Sequence, residues 1–565
     1  MAHEPATVRR AASRVGVSMH GTTGPAGPPG ADTAREQAQS AGWPGSLGRR
    51  GIALLLFAIV AGLITHGYHL FEYPLYTTDE GIYMQRAWSV IHEGQLNPYT
   101  YNYDHAPGGW LVIAAWDFVL PHQFETFSNA MNTGRVLMLL LHAASVFFLF
   151  EIARKLSGGL LAPTIATFFF NFSPLAIYFQ RQILLDNIMV FWVLLSIFVV
   201  LRREGRLFTG LWSGLAFGLA VVTKENAIFF APTIFYLLIR KVKDDLNRRF
   251  TIIFWLFAAG AAVSTYFLFA TLKSELLPPG LNFNLSHPPK GHVSLLYEIW
   301  DQVHRNQGTL FSHGSFLYTS WLPKDAFLVV AGTAAMMVSL YLGWRDREQN
   351  LGFQVAGTLA FEIAFYLVRG SVILDFYVIP LIPLLALNIA QVMDRALKRF
   401  TVPVARIAAP AVTASLAALL LFPSGGYLLT HGQKGQLQEV DVYYLPLTYL
   451  QQEQVSWIRH HIPPTAKIVM DDDIWMALHD VQPYYPNAVS HWNAVGDPNV
   501  RDGEFASNWQ NIDYIVLSNG MRQAMIGNNS GGQEDWILNA LDNHSTEVWH
   551  AGRGNIQLAI YQIQK

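Results

Sequence analysis

Long apolar runs, separated at short intervals by polar or basic clusters, organise most of this chain. Runs of near-spanning length fall at 51–71, 133–154, 160–180, 184–201, 207–222, 226–240, 251–272, 325–344, 352–368, 372–392 and 404–429. About 20 consecutive apolar residues let a helix cross a bilayer, so the pattern predicts eleven membrane spans, those at 207–222 and 226–240 being the shortest. The pattern changes past 430. Residues 435–565 are polar, with an amphipathic helix at 451–461 stopped by Pro463-Pro464 and strands at 466–470, 513–517 and 556–563. Alternating strand and helix there predicts a small α/β domain. Residues 1–48, rich in Ala, Gly, Pro, Ser and Thr and without an apolar face, read as a disordered tail.

Composition supports this division. Of 565 residues 52% are hydrophobic and only 14% charged, with a mean hydropathy of +0.24. Soluble domains carry about a quarter charged residues, so the chain reads as a polytopic α-helical membrane protein. A net charge of −2 without a basic tract offers nothing to a nucleic acid, and the absence of cysteine excludes disulfides and thiolate metal sites. Basic residues fall in every second loop: Arg49-Arg50, Arg154-Lys155, Arg202-Arg203, Arg240-Lys241 with Lys243, Arg345 with Arg347, and Arg395 with Lys398-Arg399. The positive-inside rule then predicts a cytoplasmic N-terminus, an uncleaved signal anchor at 51–71 and an extracytoplasmic C-terminal domain, in a multi-pass plasma-membrane protein. The large outer loops are 72–132 and 273–324, within a membrane domain at 49–430.

The outer side collects the unusual charge: Asp79, Glu80, Arg86, Asp104 and His105 in the first loop, Arg181 with Asp186, Lys224 with Glu225, and Arg369 with Asp375. Any single pair can be an interfacial helix end that snorkels. Four sets on one side point to a polar cavity opening outward.

The run Asp79-Glu80-Gly81-Ile82-Tyr83, followed by Tyr103-Asp104-His105-Ala106-Pro107-Gly108-Gly109-Trp110, resembles the start of a GT-C glycosyltransferase. The nearer likeness is the branch holding protein O-mannosyltransferases and the aminoarabinose transferase of lipid A. Arg181-Gln182-Ile183-Leu184-Leu185-Asp186-Asn187, Thr223-Lys224-Glu225-Asn226 and Asp375-Phe376-Tyr377-Val378-Ile379-Pro380-Leu381-Ile382-Pro383 resemble later family stretches in the same order. His105-Ala106-Pro107 departs from the family's His-Pro-Pro-like turn. The resemblance covers residues 50–400. It implies transfer of a sugar from a polyprenyl-phosphate donor to a protein, lipid or glycan hydroxyl on the outer face, usually with inversion.

Such a reaction needs a base, a cation for the departing phosphate and a groove for the prenyl chain. Asp79 is the candidate base and Glu80 its alternative or structural partner. In a helix over 79–93, Asp79, Tyr83 and Arg86 share a face, and Arg86 is placed to hold Asp79 ionised. Capping of that helix is the competing role for Asp79. Lys224, Arg181 and Arg86 are the candidate phosphate ligands, with Arg369 a weaker one. Tyr83, Asp104, His105, Asp186, Asp375 and Tyr377 are supporting or substrate-binding residues. Asp79, Glu80 and His105, with Asp104, form an alternative divalent-cation site. His287, His292, His304 and His313 fit no zinc spacing. Asp471-Asp472-Asp473, after a strand, is read first as a solvated turn and second as an acceptor site. Two rival functions remain, a secondary transporter and a non-enzymatic envelope-assembly protein. No internal repeat supports the former, and the latter needs neither the acid pair nor the outer cations.

Overall fold

Helices Leu207–Thr223 and Asp245–Leu272 meet along Gly210, Gly214 and Gly218, which recur every fourth residue and so line one face. A Cβ at Gly210 or Gly214 would stand 2.1 or 2.3 Å from the carbonyl oxygen of Thr251 or Trp255, so only hydrogen permits this approach. Close packing through small residues replaces the hydrophobic drive that helices lack in lipid. The computed structural model describes residues 47–202, 207–242, 245–283, 293–304, 309–312, 314–345, 347, 350–369, 373–399, 446–528 and 532–565.

Among the described residues seven helices are long and apolar enough to span a membrane: Arg49–Gly67, Ala130–Ser157, Leu185–Arg202, Asp245–Leu272, Leu317–Arg345, Leu351–Val368 and Asp375–Arg399. Leu161–Phe172 and Pro174–Gln180, bent by 64°, make an eighth if counted as one span. The bend has a local cause. Pro174 cannot continue the preceding hydrogen-bond ladder, and Ser173 Oγ caps the second piece by accepting from the Ala176 amide at 3.2 Å. The sequence pattern predicts ten spans over this region. The difference lies mainly in the two short runs. One is the 17-residue helix Leu207–Thr223, and the other divides into a 3₁₀ turn, Glu225–Phe230, and the short helix Ala231–Lys241. The predicted segment 404–429 and residues 1–46 lie outside the described residues, as do His287, His292 and His313. Between the first two spans lie two shorter helices, Thr78–His92 and Gly108–Val119.

The C-terminal part carries a five-stranded mixed sheet of β1 (Ile468–Met470), β2 (Ala488–Ser490), β3 (Tyr514–Leu517), β4 (Ser545–Arg553) and β5 (Ile556–Ile563), in the order β2-β1-β3-β5-β4. β1 runs parallel to β2 and β3, and β5 is antiparallel to β3 and β4. The three predicted strands are present, as is the predicted amphipathic helix, at Thr448–His461. All three β1 residues are buried, as expected of a central parallel strand.

The Asp471-Asp472-Asp473 run is not a solvated turn. It is buried against the Thr78–His92 helix. Asp471 accepts from Thr78 Oγ1 at 3.0 Å and Ser518 Oγ at 2.6 Å, Asp472 from Gln85 Nε2 at 2.8 Å and Trp492 Nε1 at 2.6 Å, and Asp473 from Gln451 Nε2 at 2.5 Å. Gly81 permits the contact: a Cβ there would stand 2.0 Å from the Asp472 carbonyl oxygen.

Gly214→Leu is expected to lower the unfolding temperature in detergent, with a loss of about 1–3 kcal/mol from overpacking. Gly260→Leu, at a glycine with nothing within 4 Å of its Cβ position, serves as the matched control and should leave thermal unfolding close to that of the parent.

Candidate functional site

Thr77 is the N-cap of the Thr78–His92 helix, and its amide donates to Glu80 Oε2 at 3.1 Å, half of a capping box. Capping therefore falls to Thr77 and Glu80, which relieves Asp79 of that duty. Glu80 is fully buried and bridges Arg135, with Nε–Oε1 at 2.9 Å and Nη2–Oε2 at 3.0 Å. Its Oε1 also accepts from the Ile183 amide at 3.1 Å. With its oxygens occupied and no exposure, Glu80 is a structural anchor rather than the alternative base anticipated from sequence.

Asp79, one position earlier, is half-buried on another face of the helix. Tyr83 Oη donates to its Oδ1 at 3.5 Å. Burial raises the Asp79 pKa above the ordinary carboxylate value, opposed by the charges of Lys224 and His105 and reinforced by Asp186 and Asp471. The side chains that act on Asp79 in this way include His105, Asp186 and Lys224, brought to it from three other stretches of the chain.

Lys224 is buried, with Nζ 2.5 Å from Asp186 Oδ2. It also lies over the rings of Tyr377 (4.3 Å) and Phe376 (4.8 Å), a cation–π arrangement that steadies a desolvated ammonium. Asp186 Oδ1 has no hydrogen-bond partner among the described residues. His105 Nδ1 lies 3.4 Å from Glu225, whose other oxygen accepts from the Ala106 amide at 2.5 Å. Burial lowers the His105 pKa, but Glu225 and Asp104 outweigh it and hold the imidazole above its ordinary value.

The remaining candidates divide. Arg86 turns from Asp79 to Asp104, at 2.9 Å, and lies 4.9 Å from the centre of the Trp110 ring. Burial pushes the Asp104 carboxyl up, yet Arg86 and His105 bring it below the usual range. Arg86 Nε and Nη1 and Asp104 Oδ1 are buried without partners among the described residues. Arg181 is fully buried and donates to the carbonyls of Thr65 at 3.1 Å and Tyr73 at 3.4 Å, so it secures backbone near the end of the first span instead of joining Lys224. Asp375 accepts from Trp321 Nε1 at 3.1 Å and lies 3.9 Å from Lys324 Nζ, while Tyr377, two residues on, serves Lys224. Arg369 is exposed, over Tyr366 at 4.5 Å. The oxygen-rich set Asp79, Glu80, Asp104 and His105 is not assembled, because Glu80 is committed to Arg135. Among the described residues no group of three acidic or histidine side chains is arranged to hold a metal ion.

Sequence reasoning passed over Arg135 and Lys324, the partners of Glu80 and Asp375, and did not pair Glu225 with His105. Arg135 and Lys324 had a visible signal, since each is a charge within or beside an apolar run, where charges are scarce and usually functional.

A family model described as dolichyl-phosphate-mannose-protein mannosyltransferase matches residues 115–269. Among curated proteins none matches the chain in sequence. Three solved structures share its architecture. ArnT from Cupriavidus metallidurans bound to undecaprenyl phosphate is 15% identical over 90% of this chain and 97% of its own, at a TM-score of 0.52. The oligosaccharyltransferase AglB from Archaeoglobus fulgidus, in complex with an inhibitory peptide and a dolichol-phosphate, is 12% identical over 90% and 74%, at 0.51. The arabinofuranosyltransferase AftD from Mycobacteria is 16% identical over 92% and 40%, at 0.50. The chain is thus a multi-pass membrane protein. Its fold is that of these solved structures.

Glu80→Gln is expected to destabilise the protein by about 3–5 kcal/mol, because Arg135 would keep its charge in a buried site without a counter-charge. Thermal unfolding in detergent checks this. An unchanged transition would remove the anchoring role.

Proposed function

We propose that this protein moves a sugar from a polyprenyl-phosphate donor to an acceptor hydroxyl on the extracytoplasmic face of the membrane, with inversion. The observation that carries the reading is the convergence of a half-buried carboxylate, Asp79, with a buried ammonium, Lys224, held by Asp186 and Tyr377. A base and a phosphate ligand on one site are what the reaction requires. The acceptor oxygen attacks the anomeric carbon, and the bond from that carbon to the phosphate oxygen breaks. The acceptor proton passes to Asp79, and Lys224 stabilises the departing polyprenyl phosphate. The partnerless donors of Arg86 are the next candidates for the sugar or phosphate oxygens.

An apolar groove of about 730 Å³ supports the lipid half of the reading. It is lined by Trp321, Leu322 and Val329 on one side and Val378, Leu381 and Leu385 on the other. Val378 follows Tyr377 directly, so a prenyl chain in the groove has its phosphate end beside Lys224. ArnT is solved bound to undecaprenyl phosphate and AglB in complex with a dolichol-phosphate. The alternating basic loops support a cytoplasmic N-terminus and an extracytoplasmic C-terminal domain at 435–565. A secondary transporter or an assembly scaffold gives no account of a carboxylate and a caged lysine beside a lipid-sized groove.

The decisive experiment incubates purified protein with a panel of hexosyl and pentosyl polyprenyl phosphates and scores acceptors by mass spectrometry. Asp79→Asn should lower kcat/KM by about 10²–10⁴, the usual value of a positioned base. Full activity in that variant would remove Asp79 from the role. Because Asp79 titrates above the ordinary carboxylate value of 3.8, the rate should rise with pH through an apparent pKa above that value, and this limb should vanish in Asp79→Asn.

A further inference from the structure

A second cavity, of about 700 Å³, lies between the 93–101 loop and the C-terminal part, within the range of ligand-binding clefts. Aromatic rings form its walls: Trp88, Tyr99, Tyr101, Trp475 and the half-exposed Tyr484. They are fixed. Trp475 Nε1 donates to Tyr99 Oη at 3.0 Å, Trp88 and Trp475 meet edge-to-face at 5.4 Å, and His479 stacks on Trp475 at 4.0 Å.

Carboxylates share the lining with these rings. Glu93, Glu275, Asp497 and Glu504 line the cleft against one lysine, Lys273. Most of the carboxylates are already held. Asp497 accepts from the Thr100 amide at 2.6 Å and the Asn499 amide at 2.8 Å, and Glu275 from Tyr103 Oη at 2.5 Å. Glu504 Oε2 is buried with no hydrogen-bond partner among the described residues. Tyr101, at the floor, donates its hydroxyl to the carbonyl of His105, so the cleft adjoins the reacting cluster.

We infer that this cleft binds the acceptor, and that the acceptor is an uncharged oligosaccharide. The inference deepens the proposed function and rests on it for the word acceptor. Flat aromatic faces attract the polarised C–H faces of sugar rings through their quadrupole. Fixed carboxylates with spare lone pairs accept from hydroxyls, which supply donors in quantity. The excess of carboxylates repels a phosphorylated ligand. An extended peptide is held through a strand edge, and none of the lining residues lies in β1–β5.

The test uses the full chain in detergent and reads tryptophan fluorescence and saturation-transfer NMR. Neutral hexasaccharides of mannose, glucose, galactose and arabinose are compared with their phosphorylated forms and with Ser/Thr-rich peptides. At least one neutral hexasaccharide should bind, its phosphorylated form more weakly. Tyr484→Ala, at an exposed position whose unfolding temperature serves as the folding control, should weaken that binding about fivefold, the loss expected from one aromatic contact. Undecaprenyl phosphate binding is measured separately on the parent. Failure of the whole neutral panel on protein that binds undecaprenyl phosphate overturns the cleft inference and spares the proposed function. Oligosaccharide binding without undecaprenyl phosphate binding supports a saccharide cleft and overturns the lipid-donor reading. Peptide binding that Tyr484→Ala weakens, with no oligosaccharide bound, overturns the inference in favour of a peptide.

Discussion

The pair of Glu80 and Arg135 holds the site together. Both side chains are fully buried, and each Glu80 oxygen receives one guanidinium and one backbone donor, the latter from Thr77 and Ile183. Arg135 also donates to the carbonyls of Leu70 at 3.2 Å and Leu75 at 3.3 Å. A buried ion pair adds little net stability over a well-packed apolar substitute, because desolvation offsets the attraction. Its effect here is positional. The segment leaving the first span, the first turn of the Thr78–His92 helix, the Ala130–Ser157 helix and the 181–184 turn all meet at one carboxylate.

Asp79 inherits its place from that arrangement. Two adjacent residues on a helix point about 100° apart, so fixing Glu80 inward against Arg135 turns Asp79 toward Tyr83 and the Lys224 cluster. The neighbouring acids differ in environment more than in chemistry. Glu80 has a full counter-charge and complete hydrogen bonding. Asp79 has one long hydrogen bond and more distant cations, and burial raises its pKa. A carboxylate left under-solvated in this way accepts a proton more readily than one locked in an ion pair.

Much of this was legible in the chain. The apolar runs locate the spans because a backbone in lipid must satisfy its own hydrogen bonds, which leaves helices as the solution. The grouping of Asp79, His105, Asp186 and Lys224 was also legible, as polar residues on one side of the predicted topology. Partner choice was not. Arg86 shares a helix face with Asp79, yet Asp104, brought in by the following loop, takes it at 2.9 Å. Arg181 has the chemistry of a phosphate ligand, but unsatisfied carbonyls of Thr65 and Tyr73 claim it. These outcomes depend on which distant backbone arrives nearby, and no local spacing encodes that. The aspartate run at 471–473 shows the same limit, since a polar run reads alike whether water or another helix meets it.

That run also ties the C-terminal part to the helix that carries Asp79. Thr78, next to Asp79, is held by Asp471, and Gly81 lies against the Asp472 backbone. Burial, with Asp471 alongside, pushes the Asp472 carboxyl up to about 7, and Asp473 is raised as well. A carboxyl raised in the folded state binds more protons there than in the unfolded chain, so this contact loses stability as pH rises through about 7 and gains it on acidification toward the ordinary value of 3.8. The helix N-terminus it meets partly compensates, because its dipole favours negative charge. Three clustered acids are a costly way to fasten two parts of a protein. Their hydrogen bonds, unlike apolar contacts, fix direction, and they fix it at the turn that carries Asp79.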